Sequence, residues 1–433
     1  MTLSADAAKA GIDAQLSVLS ATNTFIHSNP ELAYEEVKAH DHFVETLTKL
    51  GFKVTPHAYG VPTSFLAEYG TGGRLVVYNA EYDALPGVGH ACGHNLIATA
   101  SFSAFLGAVA ALKAAGPGVQ GRVQLLGTPA EEGGGGKIKL IKAGAYKGVD
   151  ACLMVHPAPS AASLAAAAGA VAAKSESGGM SAALAKAAAA GVNEVANVKM
   201  LACVKYTILF EGREAHAAMA PWAGVNALDA VCLSYNGISM LRQQIHPHER
   251  IHGIFREAGT RPNVTPAHTA VDYYVRSDTL AHAEALWRRV KACFEGAALA
   301  TGCKVSYVPI NTYADLRSSP GLCHAYVEAQ PHGTAIYSTP VDFMAGSTDM
   351  GNVCYECPGF HGAFGIDTPH GAGNHTPGFT GAAGTEDAFQ RAVQCGRGMA
   401  VVGLKVLDDA EFAASIRTAW EADMVAAKAE YEG

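Results

Sequence analysis

The sequence predicts an α/β protein in which helices flank a parallel or mixed sheet and a smaller α+β domain is inserted into the chain. Three short apolar runs, residues 74–79, 122–127 and 150–155, have the length and composition of buried strands, and helical segments separate them. This alternation is typical of sheets with helices on both faces. The length of 433 residues exceeds what one compact core usually holds, so a second domain is expected.

The elements are expected in a definite order. Residues 39–50 have the apolar spacing of a helix, and Gly51 marks its end. Residues 204–313 differ from what precedes them, because their predicted elements alternate as strand, helix, strand, helix and strand. We expect the strands at 206–210, 270–276 and 303–308 and the helices at 226–243 and 281–301. The first domain would then comprise residues 1–203 and 314–433, and the inserted domain residues 204–313.

Composition limits the class of protein. Hydrophobic residues form 49% of the chain and charged residues 16%, which suits a sizeable core and argues against disorder. The net charge of -8 provides no basic footprint for nucleic acid or an anionic membrane surface. Ten cysteines lack the spacing of a disulfide framework, and residues 1–14 lack the pattern of a secretion signal. A cytoplasmic protein with reduced thiols is therefore expected.

Two uncharged stretches were compared with membrane spans. Residues 96–112 are slightly short for a span and fit a buried core helix better. Residues 151–173 are long enough, but Pro157, Pro159 and several serines interrupt them. We therefore expect no membrane segment.

Each predicted strand is followed by a side chain that could bind a ligand or act in catalysis. These residues are Asp83, Glu131 and His156. In α/β folds, ligands gather beyond the carboxyl ends of parallel strands. In the loop after the first strand, Cys92 and His94 are two residues apart among glycines that let the chain bend, so a thiolate and an imidazole could bind one metal ion. Either residue alone would more often be part of a core. Their glycine-rich context favours a metal site.

Glu131 and Glu132 form the second candidate group. Adjacent side chains of extended backbone point in opposite directions, so one carboxylate could bind a metal while its neighbour holds a water. An isolated pair would more often be a solvated turn, but a strand precedes this one and four glycines follow it. Those glycines and Lys137 do not form a phosphate loop. Glu131 stands where its first glycine is needed, and Ile138 where Ser or Thr is needed.

Two further histidines suit metal binding. His156 ends a predicted strand and is followed by proline, and His375 lies in a glycine-rich loop in which His370 is a competitor. Cys354 and Cys357 have the spacing of a zinc or redox pair, but no second pair accompanies them, so coincidence is the preferred interpretation.

The inserted domain contains three polar candidates. His216 could donate a hydrogen bond to a developing oxyanion, although a surface histidine is the simpler alternative. Asn263 and Arg276 lie near a predicted strand and could hold a substrate carboxylate, because the arginine fork binds both oxygens.

Together these motifs resemble those of the M-20 metallopeptidases, dinuclear amide hydrolases that include aminoacylases, dipeptidases and auxin-conjugate hydrolases. The resemblance covers nearly the whole chain, and the sequence of residues 81–95 most resembles that of the aminoacylase-1-like branch. Auxin-conjugate relatives usually have Asp where this chain has Asn95. The matching segments are residues 27–32, 81–95, 128–136, 210–230, 261–266 and 346–352, together with His375.

The resemblance implies a zinc-peptidase-like fold and two divalent metal ions per subunit, zinc or manganese, with cobalt possible. Cys92 would take a bridging place, Glu131 would be the general base and acid, and Asp83 would orient the site. The inserted domain would be the lid and the surface of a homodimer, from which His216 would reach the neighbouring subunit's active site. The remaining metal ligands would be His94, Glu132, His156 and His375.

The expected function is hydrolysis of amide bonds in small substrates such as dipeptides or N-acyl amino acids. A single-zinc enzyme and a catalytically inactive binding relative of the same fold are the alternatives. The complete ligand set and an intact Glu131 favour an active enzyme. The alanine-rich residues 161–190 exceed the family's usual link between the metal histidine and the lid, which leaves the start of the lid open.

Overall fold

The computed structural model describes residues 3–160, 162–163, 192–337, 343–344, 346–369 and 372–432. The chain divides into two compact units, Met1–Met200 with Leu316–Ala426 and Leu201–Asp315 with Ala427–Gly433. The second unit contains the segment expected as an insertion, and its role as a lid stays a prediction. Except for residues 162 and 163, the alanine-rich segment 161–190 lies outside the described residues, as does His370.

A mixed sheet of eight strands organises the first unit, in the order β1-β2-β4-β3-β5-β14-β6-β12. Strand β3 pairs in parallel with both β4 and β5, and β5 pairs in parallel with β14. A separate parallel pair is formed by β7 and β13. The strands of this unit are β1 (Lys53–Pro56), β2 (Phe65–Thr71), β3 (Leu75–Ala80), β4 (Gly121–Gly127), β5 (Ala151–Pro159), β6 (Glu194–Val195), β7 (Lys199–Met200), β12 (Ala335–Ile336), β13 (Phe343–Met344) and β14 (Gly359–Ile366).

Helices cover both faces of this sheet, which confirms the predicted α/β class. The helices that belong to this unit or begin in it are α1 (Ala5–Asp13), α2 (Leu16–Ser28), α3 (Val37–Lys49), α4 (His94–Ala115), α5 (Gly136–Lys142), α8 (Pro320–Ala329), α9 (Met350–Cys354), α10 (Pro377–Ala383), α11 (Glu386–Asp408) and α12 (Ala410–Glu432). Alternate residues of β3 enter opposite cores, as a period of two requires. Val76 and Tyr78 join the core formed with α4 and α11, whereas Leu75 and Val77 join the core formed with α5 and α9.

Helix α4 is the central helix of the first core. By length and composition alone it could span a membrane, but 94% of its most apolar window is buried inside the protein. It packs against α1, α2 and α11. A helix that is apolar all round belongs in the interior of a large core, as the sequence indicated for residues 96–112.

The second unit is a four-stranded antiparallel sheet, in the order β11-β8-β10-β9, packed with two helices. Its elements are β8 (Ala202–Glu211), α6 (Ala227–Leu241), β9 (Arg250–Glu257), β10 (His268–Ser277), α7 (Leu280–Thr301) and β11 (Lys304–Tyr313). The expected alternation of strands and helices was wrong at one point, because β9 lies between α6 and β10. Strand β9 is at the sheet edge and mostly exposed, so it lacks the apolar run that identifies a buried strand.

Candidate metal centre

The loop after β3 brings Cys92 and β5 together. Gly93, at the start of α4, has φ +76°, and a Cβ on it would lie 2.6 Å from Cγ of Pro157. Glycine is required there both by the left-handed conformation and by this close approach. The result is that Sγ of Cys92 lies 3.3 Å from Nε2 of His156. His156 lies within β5 rather than at its end, because β5 continues to Pro159 alongside β14.

The five predicted metal ligands lie together, and Cys92 is common to two groups of them. One group is Cys92, His94 and His156, and the other is Cys92, Glu132 and His375; within each group the ligand atoms lie within 4.8 Å of one another. Oε1 of Glu132 is 3.2 Å from Nε2 of His375 and 4.0 Å from Nε2 of His94. A third group, Glu81 with His94 and Glu131, is completely buried. Glu81 was not among the predicted ligands.

Hydrogen bonds orient the histidines. Nδ1 of His94 donates to Oδ1 of Asp83 at 2.9 Å, and Nδ1 of His156 donates to the carbonyl of Pro157 at 2.8 Å. Since both partners are acceptors, each Nδ1 carries the proton and each Nε2 is available as a ligand atom. Asp83 also accepts from the backbone N–H of Glu132 through Oδ2 at 2.9 Å. One buried carboxylate therefore orients two of the predicted ligands.

Two residues of the site have left-handed backbone without being glycine. Ala130, directly before Glu131, has φ +61°, and His375 has φ +69°. The backbone N–H of His375 donates to the carbonyl of Ala91 at 2.8 Å, which ties the His375 loop to the Cys92 loop. Asn374 donates from Nδ2 to the carbonyl of Pro157 at 3.2 Å. Such backbone is sparsely populated and persists only where the surroundings hold it.

A buried ion-pair group underlies the site. Nζ of Lys137 lies 2.5 Å from Oε1 of Glu81 and 2.6 Å from Oδ1 of Asp349, and all three side chains are 0% exposed. Lys137 therefore forms ion pairs with two carboxylates. This agrees with the sequence pattern, which does not fit a phosphate loop. The second oxygen of Glu81, Oε2, has no hydrogen-bond partner within the described ranges and lies 3.5 Å from Nε2 of His94.

The protonation of the site is shifted by burial. Burial, followed by the neighbouring carboxylates Glu81 and Glu132, raises the pKa of Glu131 well above its usual range. Burial also raises the pKa of the Cys92 thiol. Burial alone would lower the pKa of His94, but the Asp83 carboxylate raises it.

These residues fit divalent metal ions. Five carboxylates, those of Glu81, Asp83, Glu131, Glu132 and Asp349, lie in or beside the ligand groups, and Lys137 supplies a single permanent counter-charge. Nε2 of His94 is buried without a hydrogen-bond partner among the residues described. Buried polar atoms of this kind are typical where an ion or water belongs. Thiolate, imidazole and carboxylate together form a donor set suited to zinc and similar ions.

Several residues near the centre were not predictable from the sequence. Lys137 and Asp349 have no local pattern that marks a buried ion pair. His361, on β14, is 2% exposed, its ring lies 5.9 Å from that of His156, and neither ring nitrogen has a hydrogen-bond partner in the described parts of the chain. Cys354 and Cys357 are buried in the apolar core that includes α9, and they belong to no ligand group among the described residues.

The second unit contains the remaining candidates. His216 is exposed, and its Nδ1 accepts from the backbone N–H groups of Ala218 and Met219, each at 3.2 Å. That leaves the proton on Nε2, where it can be donated outward. Asn263 is adjacent, since its carbonyl accepts from Ala217 at 3.0 Å. Within the unit, His216 and Asn263 therefore lie side by side.

Arg276 is distant from Asn263 in the same unit. It lies near the end of β10, and its Nε donates to Nε2 of His252 at 3.2 Å, whereas Asn263 precedes the start of that strand. Arg276 is eight residue steps along the strand from His268, which corresponds to roughly 25 Å. Asn263 and Arg276 of one chain therefore cannot hold the same small carboxylate. Their individual roles stay predictions.

Comparison with known proteins defines the class. Residues 77–400 match peptidase family M20/M25/M40, and the chain belongs to that family. It is 37% identical to Xaa-Arg dipeptidase of Mus musculus over 411 residues, which cover 92% of this chain and 87% of that protein. Identity to Xaa-Arg dipeptidase of Homo sapiens is 36% over 425 residues, 94% and 89% of the two chains. The protein is therefore an enzyme, a metallo-amidohydrolase of carbon–nitrogen bonds.

Solved structures agree with the fold. The aminobenzoyl-glutamate utilization protein of Klebsiella pneumoniae has a TM-score of 0.65 at 18% identity and covers 92% of this chain and 98% of its own. A Bacillus subtilis protein described as a dinuclear metal binding peptidase from M20 family has a TM-score of 0.60 at 18% identity, with coverages of 91% and 99%. At these identities the likeness shows the fold.

Proposed function

We propose that this protein hydrolyses dipeptides or N-acyl amino acids at a site for two divalent metal ions, with Glu131 as the general base. The observation that carries the proposal is that Cys92 belongs to two ligand groups at once, with Glu131 beside them. A shared ligand suits two adjacent ions better than a single one. The intact base and ligands argue against the inactive-relative alternative.

The first metal ion would be held by Cys92, His94 and His156, and the second by Cys92, Glu132 and His375. Two bound divalent ions supply Lewis-acid activation of a water molecule and of the substrate carbonyl. Zinc, manganese and cobalt are the candidates, and a shared thiolate favours the softer ions among them. Since a thiol binds metal as the thiolate, metal uptake would release the proton of Cys92.

Glu131 would take a proton from the attacking water and deliver it to the leaving amine. A general base works best when its pKa lies near the working pH, and the raised pKa of Glu131 is in the favourable direction. His216 would donate its Nε2 proton to the developing oxyanion from the neighbouring subunit of a homodimer. This role is supported by the two backbone N–H groups that fix the tautomer of His216.

The first substrates to examine are dipeptides with a C-terminal arginine or another basic residue, because the similar mouse and human proteins are named Xaa-Arg dipeptidases. A polypeptide of the p-aminobenzoyl-glutamate hydrolase of Escherichia coli (strain K12) is 32% identical over 294 residues, 64% of this chain and 54% of its own. Aminobenzoyl-glutamate and N-acyl amino acids therefore complete the panel. We place the reaction in the cytoplasm.

Amine release from this panel, with added Zn²⁺ or Mn²⁺ and again with chelator, tests the proposal. Metal-dependent cleavage is expected, and no cleavage by folded, metal-loaded protein would favour the inactive relative. Glu131→Gln should keep two metal ions per subunit and lose roughly 10²–10⁴-fold in rate, the usual contribution of a general base. Glu132→Ala should lose metal. Near-normal turnover by Glu131→Gln would contradict the role of the base.

Action of His216 in trans has its own test. Mixed dimers of His216→Ala and Glu131→Gln subunits contain one site with both native residues, so they should recover part of the activity that each homodimer lacks. Verified mixed dimers without recovery would show that His216 does not act across subunits.

A further inference from the structure

A buried glutamate outside the ligand set contacts the loop that carries the proposed base. Glu36, at the start of α3, is 0% exposed. Its Oε1 accepts from the backbone N–H of Ala130 at 2.9 Å, and its Oε2 accepts from Oγ1 of Thr63 at 2.8 Å. Burying a carboxylate is unfavourable unless hydrogen bonds compensate, so its place in the interior calls for an explanation.

Ala130 is the residue that needs support. Its φ of +61° lies in the left-handed region, which residues with a Cβ disfavour. Four glycines lie close by at 133–136, yet this position is alanine. The carbonyl of Ala130 accepts a long hydrogen bond from the N–H of Gly136, at 3.3 Å. The shorter hydrogen bond of this residue is the one that its N–H donates to Glu36, at 2.9 Å.

The backbone of Ala130 determines the direction of Glu131, which follows it directly. On the other side of Glu131, Asp83 holds the N–H of Glu132 at 2.9 Å. Asp83 therefore holds the Glu131–Glu132 peptide, and Glu36 holds the Pro129–Ala130 peptide at the start of the left-handed residue that precedes the base. We propose that Glu36 is a positioning residue, which holds Ala130 in its left-handed turn and thereby aims Glu131 at the reacting atoms. This inference rests on the proposed role of Glu131.

Glu36 differs from Asp83 in what it touches. Asp83 bonds to the ligand His94 and to the backbone of the ligand Glu132, whereas the hydrogen bonds of Glu36 go to Thr63 and Ala130, which are not ligands. Loss of Glu36 should therefore lower kcat while metal content and KM stay near those of the wild type. Misplacing a reacting group by about 1 Å can cost 10²-fold, so we expect a fall in kcat of about 10- to 100-fold for Glu36→Ala.

Substitutions at one position separate the geometry from stability. Glu36→Gln keeps an oxygen that can accept from Ala130 and should retain most of the activity. Glu36→Asp keeps a buried carboxyl group but moves it away from the N–H of Ala130 by one methylene, so kcat should fall. This variant replaces Glu36→Ala in the test if Glu36→Ala does not fold. The control is Glu35→Ala, the same change at the exposed neighbouring residue.

Ala130→Gly provides the rescue. Glycine occupies left-handed backbone without the cost that a Cβ adds, so Glu36→Ala/Ala130→Gly should recover part of the kcat lost in Glu36→Ala. Ala130→Gly alone is the reference against which this recovery is measured. A readout independent of activity is hydrogen exchange, since the peptide containing Ala130 should exchange faster in metal-loaded Glu36→Ala than in Glu35→Ala.

The outcomes distinguish this inference from the proposed function. If Glu131→Gln is inactive while Glu36→Ala matches Glu35→Ala in kcat and in exchange, Glu36 does not position the base. Loss of metal together with kcat in Glu36→Ala would also overturn the inference, because Glu36 would then act through the ligands. Full activity of Glu131→Gln would remove the base itself and the inference with it.

Discussion

Asp83 offers the sharpest test of the proposed metal centre, because it accepts hydrogen bonds from two of the proposed ligands at once. Oδ1 accepts from Nδ1 of His94 and Oδ2 from the backbone N–H of Glu132, both at 2.9 Å. Both partners are donors. Asparagine at position 83 can accept only one of these bonds, because its amide nitrogen then faces the other donor. Asp83→Ala loses both.

The magnitude follows from the number of bonds. A hydrogen bond to a charged group contributes about 1.5–3 kcal/mol. Since about 1.4 kcal/mol corresponds to a factor of ten, loss of one bond in Asp83→Asn should weaken metal binding about 10- to 150-fold. Substitutions of residues that orient metal ligands typically cost 10- to 100-fold, which agrees. Asp83→Ala should weaken binding further.

The assay is metal content at a series of free Zn²⁺ concentrations set by a chelator buffer. The matched control is Asp150→Asn, because Oδ2 of Asp150 also accepts a backbone N–H, that of Leu75 at 2.8 Å, at the start of β3. The half-saturating zinc concentration should rise in Asp83→Asn and stay unchanged in Asp150→Asn. Identical saturation curves for wild type and Asp83→Asn would refute the reasoning.

Three further predictions concern buried charge and bound metal. Lys137→Met leaves Glu81 and Asp349 without their cation, so it should destabilise the fold by about 3–5 kcal/mol in denaturant unfolding; an unchanged midpoint would contradict it. Burial raises the pKa of Glu194 from 4.5 to about 7, so the folded state holds this proton more tightly and the stability contributed by Glu194 falls as pH rises from 4.5 to 7. The free energy of unfolding of Glu194→Gln should therefore equal that of the wild type near pH 4.5 and exceed it by at most about 3 kcal/mol above pH 7. Equal free energies of unfolding at pH 8 would refute this. Chelator should lower the melting temperature and added Zn²⁺ should restore it, because metal binds the folded state. A melting temperature that changes with neither would show that bound metal does not stabilise the fold.

The sequence predicted the central strands well where their residues are continuously apolar. Strands β3, β4 and β5 are buried on both faces, and such strands are recognisable as short apolar runs. Strand β14 escaped prediction because three glycines interrupt it. A Cβ on Gly365 would lie 2.8 Å from Cα of Ser160, so a close approach of neighbouring backbone explains glycine there.

The candidate site was predictable where a local motif carries it. Cys92 and His94 are two residues apart and Glu131 and Glu132 are adjacent, and their spacing together with the glycines and strands around them suggested a metal site with a carboxylate beside it. Contacts between distant parts of the chain gave no such signal. Glu36 meets a residue 94 positions away, and the Lys137–Asp349 pair is separated by 212 positions. Residue type alone does not reveal which buried partner such a side chain has, and only the fold brings them together.

The position of His94 has a consequence for the thermal inactivation of this enzyme. His94 is the first residue of α4, the helix around which α1, α2 and α11 are packed. This proposed ligand therefore cannot move far without displacing the interior of the protein. Release of the metal should need the same cooperative event that melts the core, so thermal inactivation and global unfolding should share one transition.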